Sequence, residues 1–141
     1  MPQLFIGSTV PNFPFESQVG CHELYEYVGT NWAILFSHPA DFTPVCTTEL
    51  GEVARLTHEF EKRSTTVIGL SCNSVESHQM WLADIKAATG QQVDFPLIAD
   101  EGKHISLLLG MISEEMRNDT SASLLPSVRS VYIISPDRKL Q

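Results

Sequence analysis

Apolar positions along the chain follow two patterns: short unbroken runs, and stripes recurring every three or four residues. Trp32-Ala33-Ile34-Leu35-Phe36 is an unbroken run, the mark of a strand buried on both faces of a sheet. From about Pro44 the spacing becomes helical, with Leu50, Val53, Ala54 and Phe60 on one face. Thr66-Val67-Ile68-Gly69-Leu70-Ser71 predicts a second buried strand. Asn73-Ser74-Val75-Glu76 then matches a helix start, an Asx cap with glutamate three residues on. His78, Trp81, Leu82 and Ile85 stripe that helix, and Gly90 ends it. Phe95-Pro96-Leu97-Ile98 predicts a short strand, and Ile105 to Gly110 a short helix with its stop. Val128 to Ser135 alternates as a last strand before a turn at Ser135-Pro136-Asp137. Residues 1–20 read as turn-rich, with Gly7, Pro11, Pro14 and Gly20.

Strands alternating with helices predict an α/β layer fold with helices on both faces of a central sheet. A turn after an alternating strand leads into a hairpin partner, yet the chain stops at Lys139-Leu140-Gln141. The C-terminal hairpin is therefore expected to be incomplete.

Composition narrows the function classes. The 141 residues fit one domain, 1–141, and 43% hydrophobic with 18% charged residues is ordinary globular usage. Nine Lys and Arg stand against seventeen Asp and Glu, a net charge of −8. That balance argues against nucleic acid, whose affinity comes mostly from basic groups on phosphates. No polybasic cluster would hold an anionic membrane, and no apolar run approaches the ~20 residues of a span. The N-terminus lacks the basic and apolar regions of a secretory signal. Three cysteines, Cys21, Cys46 and Cys72, are odd in number and lack CxxC spacing, which suits free thiols in the cytoplasm rather than disulfides or zinc. His22, His58, His78 and His104 lack ligand spacing and read as solvated or capping residues.

Chemistry concentrates between the first strand and the first long helix, the edge where open α/β sheets place ligands. Thr43 suits the N-cap and Pro44 the first helical position, making Cys46 the third helical residue. Its sulfur is then expected among unsatisfied N–H groups at the positive end of the helix dipole, within reach of the Thr43 hydroxyl. Such settings lower a cysteine pKa from about 8.5 to about 3.5–7.5. The bland alternative is a small buried hydrophobe.

His38-Pro39-Ala40-Asp41-Phe42-Thr43-Pro44-Val45-Cys46-Thr47-Thr48-Glu49-Leu50 resembles the peroxiredoxin active-site signature, Pro-x-x-x-Thr-x-x-Cys. Its His-Pro start and Val-Cys-Thr-Thr-Glu ending resemble the one-cysteine, peroxiredoxin-6-type subfamily. The similarity continues through Leu70 to His78, through Trp81, and into Val128 to Ile134. The resemblance implies a thioredoxin-like fold with a mixed sheet, and reduction of hydrogen peroxide and organic hydroperoxides without metal or cofactor. By the same match, Cys46 is the peroxidatic nucleophile and becomes a sulfenic acid. Thr43 hydrogen-bonds the thiolate and the peroxide, Pro39 shields the sulfur, and Arg129 keeps it ionised. His38, Phe42 and Val45 line the pocket, and Glu49 orients the arginine. An external thiol, glutathione or similar, reduces the sulfenic acid. Cys72 reads as a packed strand cysteine rather than a resolving thiol, and Cys21 as a surface or edge residue.

Two departures from the family stand out. The Gly-Asp-Ser-Trp-Gly run tied to phospholipase activity in some relatives is Gly29-Thr30-Asn31-Trp32-Ala33 here, so no lipase activity is expected, whatever Asp137 matches. The family's C-terminal strand, helix and dimerisation arm have no counterpart, so the homodimer implied for full-length members is not implied for this chain. The alternative functions are a holdase or redox-sensing binder, and a cysteine hydrolase pairing Cys46 with His38.

Overall fold

The computed structural model describes residues 4–38, 44–111 and 130–141, with Pro44 and Val45 described as backbone only. Among them six strands form one sheet in the order β2-β1-β5-β4-β3-β6. β3 (Trp32–Ser37), β4 (Thr65–Ser71) and β5 (Leu97–Ala99) run parallel, and β6 (Val131–Ile134) pairs antiparallel with β3. At the other side, β1 (Pro14–Ser17) and β2 (Gly20–Glu23) form an antiparallel hairpin joined to β5. The sheet is thus mixed, as expected.

Alternation along the strands divides the core in two. Ala33, Leu35, Ile68, Leu70 and Ile98 face α1 (Leu24–Val28) and α5 (His104–Leu108) in one cluster with Val10, Phe13 and Ile134. Val67 and Leu97 face the opposite way, with Cys46, Leu50, Trp81 and Ile85 from α2 (Pro44–Arg55) and α4 (Val75–Thr89). Helices therefore cover both faces.

Several local expectations are corrected. The turn-rich start holds the β1–β2 hairpin, whose buried Phe15 and Ser17 alternate with exposed Pro14 and Glu16 over too short a span to register as periodicity. The helix expected from Pro44 through Phe60 breaks after Arg55 and resumes as α3 (Thr57–Lys62). At the break the Thr57 hydroxyl donates to the Val53 carbonyl at 3.3 Å, the acceptor that an unbroken helix would give to Thr57's own N–H. The cap of α4 is Ser74, not Asn73: its Oγ accepts from the Ser77 N–H at 3.1 Å. Gly90 ends α4 in the left-handed region, φ 74°. Phe95 and Pro96 precede β5 rather than belong to it. The last strand occupies only Val131–Ile134, and residues 128 and 129 lie outside the described part. Beyond the Ser135-Pro136-Asp137 turn, the first rungs of the hairpin are present. Ser135 N donates to Lys139 O and Gln141 N to Ile133 O, each at 2.9 Å, and Leu140 bridges Ile134.

Candidate active site

β3 delivers His38 to the carboxyl end of the sheet, where its backbone N–H donates to Leu70 O of β4 at 2.9 Å. α2 begins at Pro44, so Cys46 occupies its third position, the placement that cap and proline chemistry predict. Nine further helical residues follow it, about two and a half turns, enough to align the dipole whose positive end favours a thiolate. The Cys46 side chain is fully buried, among Leu50, Val67, Trp81 and Ile85. Helix-start placement and an apolar setting thus coincide at one sulfur.

Polar and aromatic side chains tie this cluster across several elements. Trp81 is fully buried, and its indole Nε1–H donates to Thr47 Oγ1 at 2.9 Å, across the packed faces of α2 and α4. His38, 1% exposed, lies with its ring 4.8 Å from the Trp81 ring and 6.1 Å from the His78 ring. His78 is fully buried, which corrects its reading as a solvated or capping residue. Its Nε2 lies 3.1 Å from the Ile98 carbonyl, which can only accept, so that nitrogen carries the proton. α2 approaches α4 closely because residue 51 is glycine: a Cβ there would lie 2.6–2.8 Å from the Thr89 side chain.

The structure brings His38, Cys46, Thr47 and Trp81 to one end of the sheet. Glu49 is exposed one turn into α2, beside an apolar groove of about 590 Å³ lined by Phe36, Val53, Phe60 and Val131, with Thr48 at its edge. Pro39, Phe42, Thr43 and Arg129 lie outside the described residues, as does the Val45 side chain, so their expected roles stay expectations. The Thr47–Trp81 link escaped the sequence reading, which assigned Trp81 to the core stripe alone. The available signal was the indole itself, since a buried Trp N–H requires an acceptor.

The other thiols differ. Cys21 is exposed on the edge strand β2, as expected. Cys72 is half-buried just past β4, with Sγ 3.8 Å from Ser106 Oγ. Ser106 is in turn tied to Asp100, whose carboxylate accepts from Ser106 Oγ and Ser106 N at 2.8 Å and from Ile105 N at 3.1 Å. No disulfide and no metal-ligating cluster occurs among the described residues. Nor is any helix there long and apolar enough to cross a membrane.

A family model described as AhpC/TSA family matches residues 6–141. The chain is 45% identical over 141 residues to Peroxiredoxin PRX1, mitochondrial, of Saccharomyces cerevisiae, covering 99% of this chain and 54% of that protein. It is 44% identical to 1-Cys peroxiredoxin PER1 of Arabidopsis thaliana, covering 100% of this chain and 62% of that one. Peroxiredoxin-6 of Mus musculus is 42% identical, with 98% and 62% covered. Among solved structures, a yeast mitochondrial 1-Cys peroxiredoxin superposes with a TM-score of 0.89 at 45% identity, covering 99% of this chain and 66% of that one. Peroxiredoxin 6 of Arenicola marina superposes with a TM-score of 0.87 at 39% identity, with 98% and 63% covered. The chain thus spans between about half and two thirds of the length of these relatives.

Proposed function

The chain belongs to the AhpC/TSA family, and on that premise we propose that it is a thiol peroxidase working through one catalytic cysteine, Cys46. The Cys46 thiolate attacks the terminal oxygen of a hydroperoxide. The O–O bond breaks, the alkoxide or hydroxide leaves and takes a proton, and the sulfur is oxidised to sulfenic acid. Two molecules of an external thiol restore it: one forms a mixed disulfide with loss of water, and the second releases the disulfide and the Cys46 thiol.

The observation that carries this reading is Cys46 in the third position of α2, at the carboxyl end of the parallel strands. In the proposed site Thr43 and Arg129 hold the thiolate and the peroxide, and Pro39 keeps bulk water from the sulfur. His38, Phe42 and Val45 shape the pocket, and Glu49 orients Arg129. The groove beside Thr48 and Glu49 has room for the apolar part of an organic hydroperoxide, which supports a substrate range beyond hydrogen peroxide. Glutathione or a similar thiol suits the reductant. One similar structure is described by its thiol-resolving mechanism via glutathione/thioredoxin systems. Cys21, Cys46 and Cys72 are free thiols, which suits a reducing compartment such as the cytosol, although one relative is named mitochondrial. A homodimer belongs to the proposal for the longer family members. No observation favours the alternative of a holdase or redox-sensing binder.

Rapid mixing with hydrogen peroxide, followed by mass spectrometry of trapped sulfenic acid, tests the reading. Cys46 is expected to react faster than Cys21 and Cys72 by orders of magnitude. Equal rates at the three thiols overturn it.

A further inference from the structure

Trp81 joins the two ends of the segment that separates β3 from α2. Its indole N–H is committed to Thr47 Oγ1, the side chain next to Cys46 in the first turn of α2. Its ring lies against His38, the residue just past β3, which is anchored by its own N–H on Leu70. Successive helical residues are about 100° apart around the axis, so fixing Thr47 also fixes the direction in which Cys46 points. A first helical turn lacks half of its backbone hydrogen bonds and frays readily. Ring burial alone would not prevent that rotation or fraying, because apolar packing is non-directional. The N–H···O bond supplies the direction, and because Trp81 is fully buried, leaving its indole N–H unpaired is unfavourable.

We propose that Trp81 is a positioning residue for Cys46. Acting through Thr47 on one side and His38 on the other, it holds the thiol at a set place relative to the strand end. The proposal rests on Cys46 being the reactive thiol. It adds that the reactivity depends on one hydrogen bond from a neighbouring helix rather than on the helix start alone.

The test uses Thr47→Val, which keeps the shape and removes the acceptor, Trp81→Phe, which keeps a ring and removes the donor, the double variant, and Thr47→Ser. Two properties of Cys46 are read in each: its rate with hydrogen peroxide, and the midpoint of its alkylation rate by iodoacetamide against pH. Thr47→Val and Trp81→Phe are each expected to slow the peroxide reaction by about tenfold, the scale of a small misplacement of a reacting group. Both are also expected to move the alkylation midpoint upward. The double variant should be no slower than the slower single one, and Thr47→Ser should restore both properties. An unmoved midpoint in Thr47→Val, even with lowered thermal stability, overturns the proposal, and so do additive losses in the double variant. Should Trp81→Phe fail to fold, the Thr47 pair decides alone. Should the unaltered chain fail to react with peroxide, the peroxidase reading falls, while the alkylation profiles still decide whether Trp81 positions the thiol.

Discussion

Cys46 and Cys72 follow the carboxyl ends of neighbouring parallel strands, yet the structure gives them different surroundings. Cys46 sits within the first turn of a twelve-residue helix, packed into an apolar cluster. Cys72 faces Ser106, whose hydroxyl hydrogen goes to the Asp100 carboxylate, an acceptor only. The Ser106 oxygen is left to accept from the Cys72 S–H. One thiol meets the positive end of a dipole, and the other meets the end of a hydrogen-bond chain anchored on a carboxylate. The proposed difference in reactivity follows from what a strand end leads into, more than from its place on the sheet.

The largest expected effect breaks the comparison if it fails. Cys46→Ser should lower the rate of peroxide reduction by about three orders of magnitude or more, because it removes the proposed nucleophile, while Cys72→Ser should stay within about twofold of the parent in the same assay. Asp100→Ala comes next. Three buried donors lose their acceptor at once, and urea denaturation should show a loss of about 2–3 kcal/mol. Asp100→Asn, which removes the charge and keeps the shape, should speed alkylation of Cys72 without speeding that of Cys46. Gly51→Ala sharpens the Cys46 side. Alanine normally favours a helix interior by about 1 kcal/mol over glycine, but here its Cβ meets Thr89. Thermal unfolding should therefore show a loss of about 1–3 kcal/mol, the cost of overpacking. Smallest is Glu59→Gln. The Glu59 carboxylate is held below its ordinary pKa chiefly by the hydrogen bond from Arg63, so its contribution is present at neutral pH and is lost as pH falls through the carboxylate range. The pair is exposed, and a change in melting temperature at pH 7 should be barely detectable and vanish in 1 M salt.

Much of this molecule was legible from local pattern. Thr66 to Ser71 reads as a buried strand because both of its faces are covered by helices. Trp32 to Phe36, by contrast, is buried on one face only, with Ala33 and Leu35 in the core, Ile34 and Phe36 half-buried and Trp32 exposed. Cys46 was identifiable because Pro44 and the preceding threonine state where a helix begins, and a helix start has its own electrostatics wherever it lies. The β1–β2 hairpin was not legible, since four-residue strands carry too few alternations to register as periodicity. The break at Leu56 was hidden because Phe60 still reaches the same cluster from α3, so apolar periodicity survives a break in the backbone.

The sequence by itself determined the layered α/β order, the helix-start cysteine and the family. Each is encoded in residues within a turn or a strand of one another. Only the tertiary structure decided that Trp81 donates to Thr47, that His78 is buried against Ile98, and that Cys72 ends a chain running to Asp100. The Trp81–Thr47, His78–Ile98 and Cys72–Ser106 contacts join residues twenty to thirty-four positions apart, and a hydrogen bond depends on distance and direction in space, which no spacing along the chain records.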